Sequence, residues 1–241
     1  MTSDSRTDRD RRFAILFGLL IFAIAVVLGA IAPVGDCGEV TTDQLVTALQ
    51  FTTSDAEALA LFGPVGSECR ALLAERLRLP LAVDLFAFIP AFVLFMIFWH
   101  RAALVEGSNP LARFGVATAL AAAPADVIET MIELTMTADE GRALGYDPMA
   151  TTATTVKYVC IGLSLSTAGA LLFARQRPLP IVIGMIVLAG GLAGFFAGLR
   201  LIPSGSVALI ALAWLAMLGA LFIRPPAGRD PAPDSRPSAS P

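Results

Sequence analysis

The sequence predicts an all-α membrane protein, a bundle of six transmembrane helices with a short helical, disulfide-tied loop on its outer side. Two observations carry this fold class. Of the 241 residues, 56% are hydrophobic and only 15% charged, with a mean hydropathy of +0.74, which is more apolar surface than one soluble core of this size buries. A spanning helix needs roughly 20 mainly apolar residues, and the chain supplies six such runs, at 13–32, 80–99, 114–136, 155–174, 179–199 and 205–223. A third observation concerns function: carboxylates and one lysine lie inside these runs.

Residues 1–12 form an N-terminal tail rich in arginine, and 13–32 is an uncharged run. Ala30-Ile31-Ala32 resembles a small-residue cleavage site and Arg11-Arg12-Phe13 a twin-arginine signal, but twenty uncharged residues exceed the usual apolar region of a signal peptide and predict an uncleaved helix.

The loop 33–79 is large enough to hold structure of its own. Thr41 with Gln44, and Ser54 with Glu57, have capping-box spacing, so short helices are expected after each. Gly63-Pro64 stops the second of them, and a third runs from about Ser67 toward the second span. Cys37 and Cys69 bracket the loop and predict a disulfide if it faces an oxidising compartment. A redox-active pair is the weaker alternative, because C-x-x-C spacing is absent. Cys160 reads as a small buried residue of the fourth span.

The second span carries Asp84 about one turn from its outer end, and His100 follows Trp99 at its inner end, where an interfacial anchor is expected. The third span carries Asp126, Glu129 and Glu133 at i, i+3 and i+7, within roughly 60° of one another on a helix. Small residues Gly115, Ala119 and Ala122 continue the same face, and Pro124 predicts a kink below the acids. The fourth span brings Lys157 and Tyr158 near its outer start. The fifth contains Gly190, Gly194 and Gly198, a twofold G-x-x-x-G repeat that favours close helix packing, within the fold or between copies, and Arg200 closes its outer end. The sixth run is uncharged. Residues 224–241, rich in proline and without large apolar residues, are expected to be a disordered tail.

Orientation follows from arginine. With six spans the termini share a side, and that side holds Arg6, Arg9, Arg11, Arg12, Arg101, Arg113, Arg175, Arg177, Arg224, Arg229 and Arg236. The positive-inside rule then makes both termini cytoplasmic, in what the arginine-rich, lysine-poor composition suggests is a bacterial inner membrane. A net charge of −3 and a pI near 5.2 give no basis for binding nucleic acid. The expected partners are the lipid bilayer and, through the glycine face, a second copy or another membrane protein.

An ionised group at the bilayer centre costs about 2.5 to 3.5 kcal/mol on insertion scales, so these side chains must face inward and be paired, protonated or wet. Asp84, Asp126, Glu129 and Glu133 outnumber Lys157 and Arg200, which predicts bound protons or a cation at the site. No organic cofactor is indicated. The order Asp84-Leu85-Phe86, Asp126-x-x-Glu129 and Thr154-x-x-Lys157 resembles a set of uncharacterised bacterial multispan membrane proteins over roughly residues 40–175, although Thr130 stands where those proteins often have Asn. The resemblance implies a shared membrane fold with an intramembrane charge network, and implies no activity.

Three functions fit these residues. One is a small transporter or channel-like protein for protons, cations or a cationic solute. Another is a structural, partner-subunit or sensory protein whose charges form an ion-pair lattice. The third is a metal-dependent membrane enzyme acting on lipid, for which the carboxylates would supply oxygen ligands, although H-E-x-x-H and G-x-S-x-G are absent.

Overall fold

A computed structural model describes residues 3–39, 42, 45–103, 109–138 and 144–223. The Thr41–Gln44 capping box and the tail after 223 lie outside these residues. The described chain is helical, and its one β feature is an isolated bridge between Gly35 and Thr42. Its helices are α1 (Ser3–Ile31), α2 (Leu45–Phe51), α3 (Asp55–Phe62), α4 (Glu68–Val83), α5 (Ile89–Ala102), α6 (Asn109–Met136), α7 (Pro148–Phe173), α8 (Pro178–Gly198) and α9 (Ala208–Ala220).

Five helical runs among these residues are long and apolar enough to cross a membrane: Thr7–Ile31, Glu68–Ala102, Pro110–Met136, Pro148–Phe173 and Pro178–Gly198. The last apolar run, Ser204–Ala220, is shorter and opens with a 3₁₀ turn at Ser204–Val207. Apolar side chains cover the exterior, including Leu16, Phe22, Phe86, Ile128, Met131, Met185 and Leu212. That pattern suits lipid as the surrounding solvent.

Local chemistry explains the helix ends. Ser54 caps α3 by accepting from Glu57 N at 3.2 Å, and Glu57 reaches back to the N–H and hydroxyl of Thr53 at 2.7 and 2.8 Å. These two bonds hold the Glu57 carboxyl below its ordinary value. Gly63 ends α3 with φ +74°, where a side chain would be strained. Asp147 accepts from Met149 N and Ala150 N at 2.8 and 2.9 Å, and with Pro148 in the first turn it starts α7 seven residues before the expected span.

The helix expected from about Ser67 begins at Glu68, capped by Ser67, and continues into the second apolar run. Glu68–Ala102 is one helical run of 35 residues, interrupted only by a π turn at Asp84–Phe88. Pro90 explains the turn: its ring collides with the carbonyl four residues back and its nitrogen donates nothing. Widening the helix by one residue, so that Ile89 N reaches Asp84 O, accommodates that mismatch. α6 runs through Pro124 as one helix.

α7 is the central helix, packed between α6 and α8; α1 packs on α5, and α9 on α8. α7 and α8 approach closely because glycines meet. A Cβ at Gly162 would lie 2.4 Å from Phe195 N, and one at Gly191 would lie 2.7 Å from Ser166 N. Of the three glycines singled out in the sequence, Gly198 faces Tyr158 and Val159 of α7, Gly190 faces Leu209 and Ala213 of α9, and Gly194 lies against Ile210 of α9 and Gly162 of α7. They therefore serve two neighbours within the chain.

One end of the bundle is tied by the N-terminal half of α1: Arg11 Nε donates to Leu221 O at 2.6 Å, and Asp10 pairs with Arg101 at 3.0 Å. At the other end, α2 and α3 fold over the bundle with their own core of Leu45, Leu49, Ala58, Phe62, Leu73 and Leu77. Cys37 and Cys69 are at disulfide distance, with Cα atoms 5.6 Å apart. Buried Arg70 donates to Gly63 O at 2.8 Å and to Leu144 O, while Arg78 donates to Thr137 O at 2.7 Å, so α4 fastens this layer to the α6–α7 connection.

His100 is not an interfacial anchor. It is fully buried, with Nδ1 2.8 Å from Met96 O and Nε2 3.2 Å from Thr167 Oγ1, against a gap left by Gly115. The helix carries it inward because Trp99 and Arg101 take the neighbouring directions, where Trp99 Nε1 donates to Met217 O and Arg101 reaches Asp10.

Candidate functional site

The acids of α6 follow helical geometry. Asp126, Glu129 and Glu133 share the buried face, whereas Val127, Ile128 and Met131 on the opposite side are exposed. Helix α7 supplies Thr154 and Lys157, one turn apart and both buried. Lys157 Nζ lies 2.8 Å from Asp126 Oδ1, a charge contact off the line of a hydrogen bond, and donates to Glu129 Oε2. One lysine thus neutralises parts of two carboxylates from adjacent turns.

Glu129 also meets the Thr154 hydroxyl at Oε1. That hydroxyl is 2.9 Å from Ala150 O as well, so it has two acceptors for its single proton. If Glu129 is ionised, Thr154 donates to it; if Glu129 is protonated, the acid donates to Thr154, which turns to Ala150 O. Asp84 joins the group through Thr130, whose hydroxyl donates to Asp84 Oδ2 at 3.1 Å. The π turn that Pro90 demands begins at Asp84, so backbone chemistry and site geometry coincide at this residue.

Tyr158 lies beside the cluster. The Lys157 ammonium is 5.1 Å from its ring centroid, its hydroxyl donates to Gln50 Oε1 at 3.0 Å, and its ring sits 5.1 Å from Phe51. Gln50 and Phe51 belong to α2. The α2–α3 layer therefore covers the charged site as a roof, where the sequence suggested only a separate loop.

Two of the expected residues stand apart from the pairing. Glu133 is buried, and neither of its carboxylate oxygens has a partner among the described residues. It borders a cavity of about 10 Å³, room for roughly one water, shared with Gln50, Thr52 and Asp147. Arg200 does not pair with the acids. Its Nη1 donates to Phe51 O at 2.8 Å, its guanidinium lies 5.5 Å from the Phe51 ring centroid, and its left-handed backbone, φ +57°, turns the chain after α8. Burial lowers its pKa from the ordinary arginine value.

Asp84, Asp126, Lys157 and Tyr158 line one cavity of about 220 Å³ together with Gln50 of the roof. Its remaining wall is largely apolar and includes Phe88, Phe92 and Trp214, with the Phe88 and Phe92 rings 5.5 and 5.3 Å from the Trp214 ring of α9. Asp84 also borders a second cavity of about 190 Å³ between α1, α2 and α4. Among the described residues, no three of the acids bring ligand oxygens within 4.8 Å of one another; the group at that spacing is Asp36, Cys37 and Cys69, and its two sulfurs are at bonding distance.

Thr130 and Thr154 carry a partial sequence signal, because one follows Glu129 and the other lies one turn before Lys157, although the acids they meet, Asp84 and Glu129, belong to other helices. Gln50, Phe88, Phe92 and Trp214 carry none, since no periodicity within one segment reports which helix lies opposite. Comparison of the chain with protein-family models, curated proteins and solved structures finds no match.

Proposed function

We propose that this chain is a six-span bacterial inner-membrane protein with cytoplasmic termini, and that its intramembrane site binds a proton, a cation or a cationic solute as a small transporter or channel-like protein. The observation that carries this reading is the charge inventory: Lys157 is shared by Asp126 and Glu129, while Asp84 and Glu133 meet no described base. Glu133 is buried and Asp84 half-buried, and carboxylates held in this way without a counter-charge are retained at the expense of stability and mark ion and proton pathways in membrane spans.

Six crossings are supported by the position of the last helix. The run Ser204–Ala220 is about 25 Å long at helical rise. Its far end meets Arg11 of α1, while Val207 at its start borders the cavity that holds Asp84. The Arg-rich start of α1 and the Arg101 end of α5 share that far side, which the positive-inside rule assigns to the cytoplasm. The cysteine pair then faces the oxidising side.

The test is flux. Purified protein in proteoliposomes should give a pH-dependent or cation-dependent flux that Glu129→Gln abolishes. Folded protein without flux for protons, alkali cations or small amines overturns the proposal.

One observation favours a second reading, a structural ion-pair lattice: Lys157 contacts two acids of α6 at once, as a register pin between α6 and α7 would. Under this reading no flux is expected, and stability depends on Lys157 together with its acids.

A further inference from the structure

The 220 Å³ cavity differs from the ion-pair centre beside it. Lys157 already engages Asp126 and Glu129, so the unneutralised charge on the cavity wall is Asp84, which Thr130 orients without neutralising. Most of the remaining wall is apolar: Phe88, Phe92 and Trp214 on one side, Ile161 and Ile210 beyond them. The indole N–H of Trp214 is buried with no acceptor among the described residues, which leaves a donor for water or ligand.

A bare metal cation asks for six or more oxygens in place of its hydration shell. This wall supplies few oxygens and much aromatic surface. A carboxylate next to aromatic rings instead suits a cation that carries its own apolar body, since the rings attract positive charge and bury hydrocarbon. A cavity of about 220 Å³ leaves room for an ammonium with a short apolar substituent.

We propose that this cavity binds a small organic ammonium ion, with its charge on Asp84 and its apolar body against Phe88, Phe92 and Trp214. The proposal rests on the solute-binding reading above and narrows it to a substrate class. Asp84 and Phe88 bound the same π turn, and Phe92 follows one turn later, so the anchor and two of the three wall rings belong to one helix face, with Trp214 facing them from α9. Gln50, Val46 and Thr47 of α2 close the cavity from above, so entry requires the roof to lift or the ligand to pass its rim at the exposed Ala211.

The full chain in phosphatidylethanolamine-free detergent is titrated calorimetrically with benzylammonium, with benzyl alcohol as the uncharged match and sodium chloride as charge without a body. Saturable binding is expected for benzylammonium alone. Asp84→Asn should weaken it about tenfold or more, Asp84→Glu should retain most of it, and Trp214→Leu should weaken it about tenfold. Phosphatidylethanolamine added to the micelles separates two sources of the same chemistry: competition assigns a lipid headgroup, and unchanged binding assigns a free amine. Equal binding of benzyl alcohol, or unchanged binding in folded Asp84→Asn, overturns the proposal. Glu129-dependent proton or alkali-cation flux in protein that ignores benzylammonium refutes the ammonium class while leaving the transport reading in place.

Discussion

Lys157→Met removes the ammonium while keeping an unbranched side chain of similar length, so the packing of α6 on α7 changes little. The loss is electrostatic. Asp126 and Glu129, both buried, keep their positions without the cation they share. Removing one partner of a buried ion pair typically destabilises by about 3 to 5 kcal/mol, and because two carboxylates depend on this lysine the upper part of that range is expected. For a chain of this size each kcal/mol shifts Tm by roughly 2 to 4 °C, so at about 4 to 5 kcal/mol thermal unfolding in detergent, followed by circular dichroism, should occur about 8 to 20 °C lower. Glu129→Gln in the same chain removes one stranded charge and keeps a side chain able to meet Thr154, so the double variant should recover much of the loss. A shift below about 2 °C for Lys157→Met, or strictly additive effects in the double variant, refutes the shared-lysine account.

Glu133→Gln should be nearly neutral or stabilising, by up to about 1 kcal/mol, because its oxygens have no described partner to lose; a large drop in Tm would show that a partner exists. Cys37→Ser with Cys69→Ser should cost about 3 to 4 kcal/mol on the chain-entropy model for a separation of 32 residues, read as earlier proteolysis of 33–79; proteolysis at the wild-type rate counts against a staple. Gly162→Ala would place a Cβ 2.4 Å from Phe195 N and 2.6 Å from Gly191 O, forcing α7 from α8 at about 1 to 3 kcal/mol, whereas Gly219→Ala meets nothing within 4 Å; equal unfolding temperatures for the two variants would contradict the close approach. Glu57 has a folded pKa below its ordinary 4.5, first through the Thr53 N–H and then its hydroxyl. The stability it contributes is therefore present above about pH 4.5 and lost as pH falls through the lowered value. Glu57→Gln should remove that pH dependence from hydrogen exchange in α3, and an unchanged profile would assign it elsewhere.

Much of the secondary structure was legible because it is local. Hydrophobic runs of sufficient length mark five helices, and the i, i+3, i+7 spacing of Asp126, Glu129 and Glu133 puts all three on the buried face of α6. The Ser54 cap and the Gly63 stop work through atoms within four residues of themselves. Where a neighbour decides, sequence expectations departed from the structure. His100 sits where a boundary residue would, yet it is drawn inward into space left by Gly115 and toward Thr167. Arg200 counts as a base in a charge tally, but its nearest described acceptor is the Phe51 carbonyl. The glycine repeat reads as one interface and divides between α7 and α9.

The sequence by itself determined that the chain is helical and apolar enough to cross a membrane, that three acids share one face of a helix, and that they outnumber the bases within the spans. Each follows from composition or from the fixed 3.6-residue period. Only the tertiary structure decided that Lys157 reaches Asp126 and Glu129 together, that Thr130 holds Asp84, and that α2 closes over the site through Gln50 and Phe51. The physical reason is that a helix fixes the directions of its own side chains, whereas the opposing helix is chosen by packing across distant segments, here by the glycine contact of α7 with α8 and the arginine ties from α4.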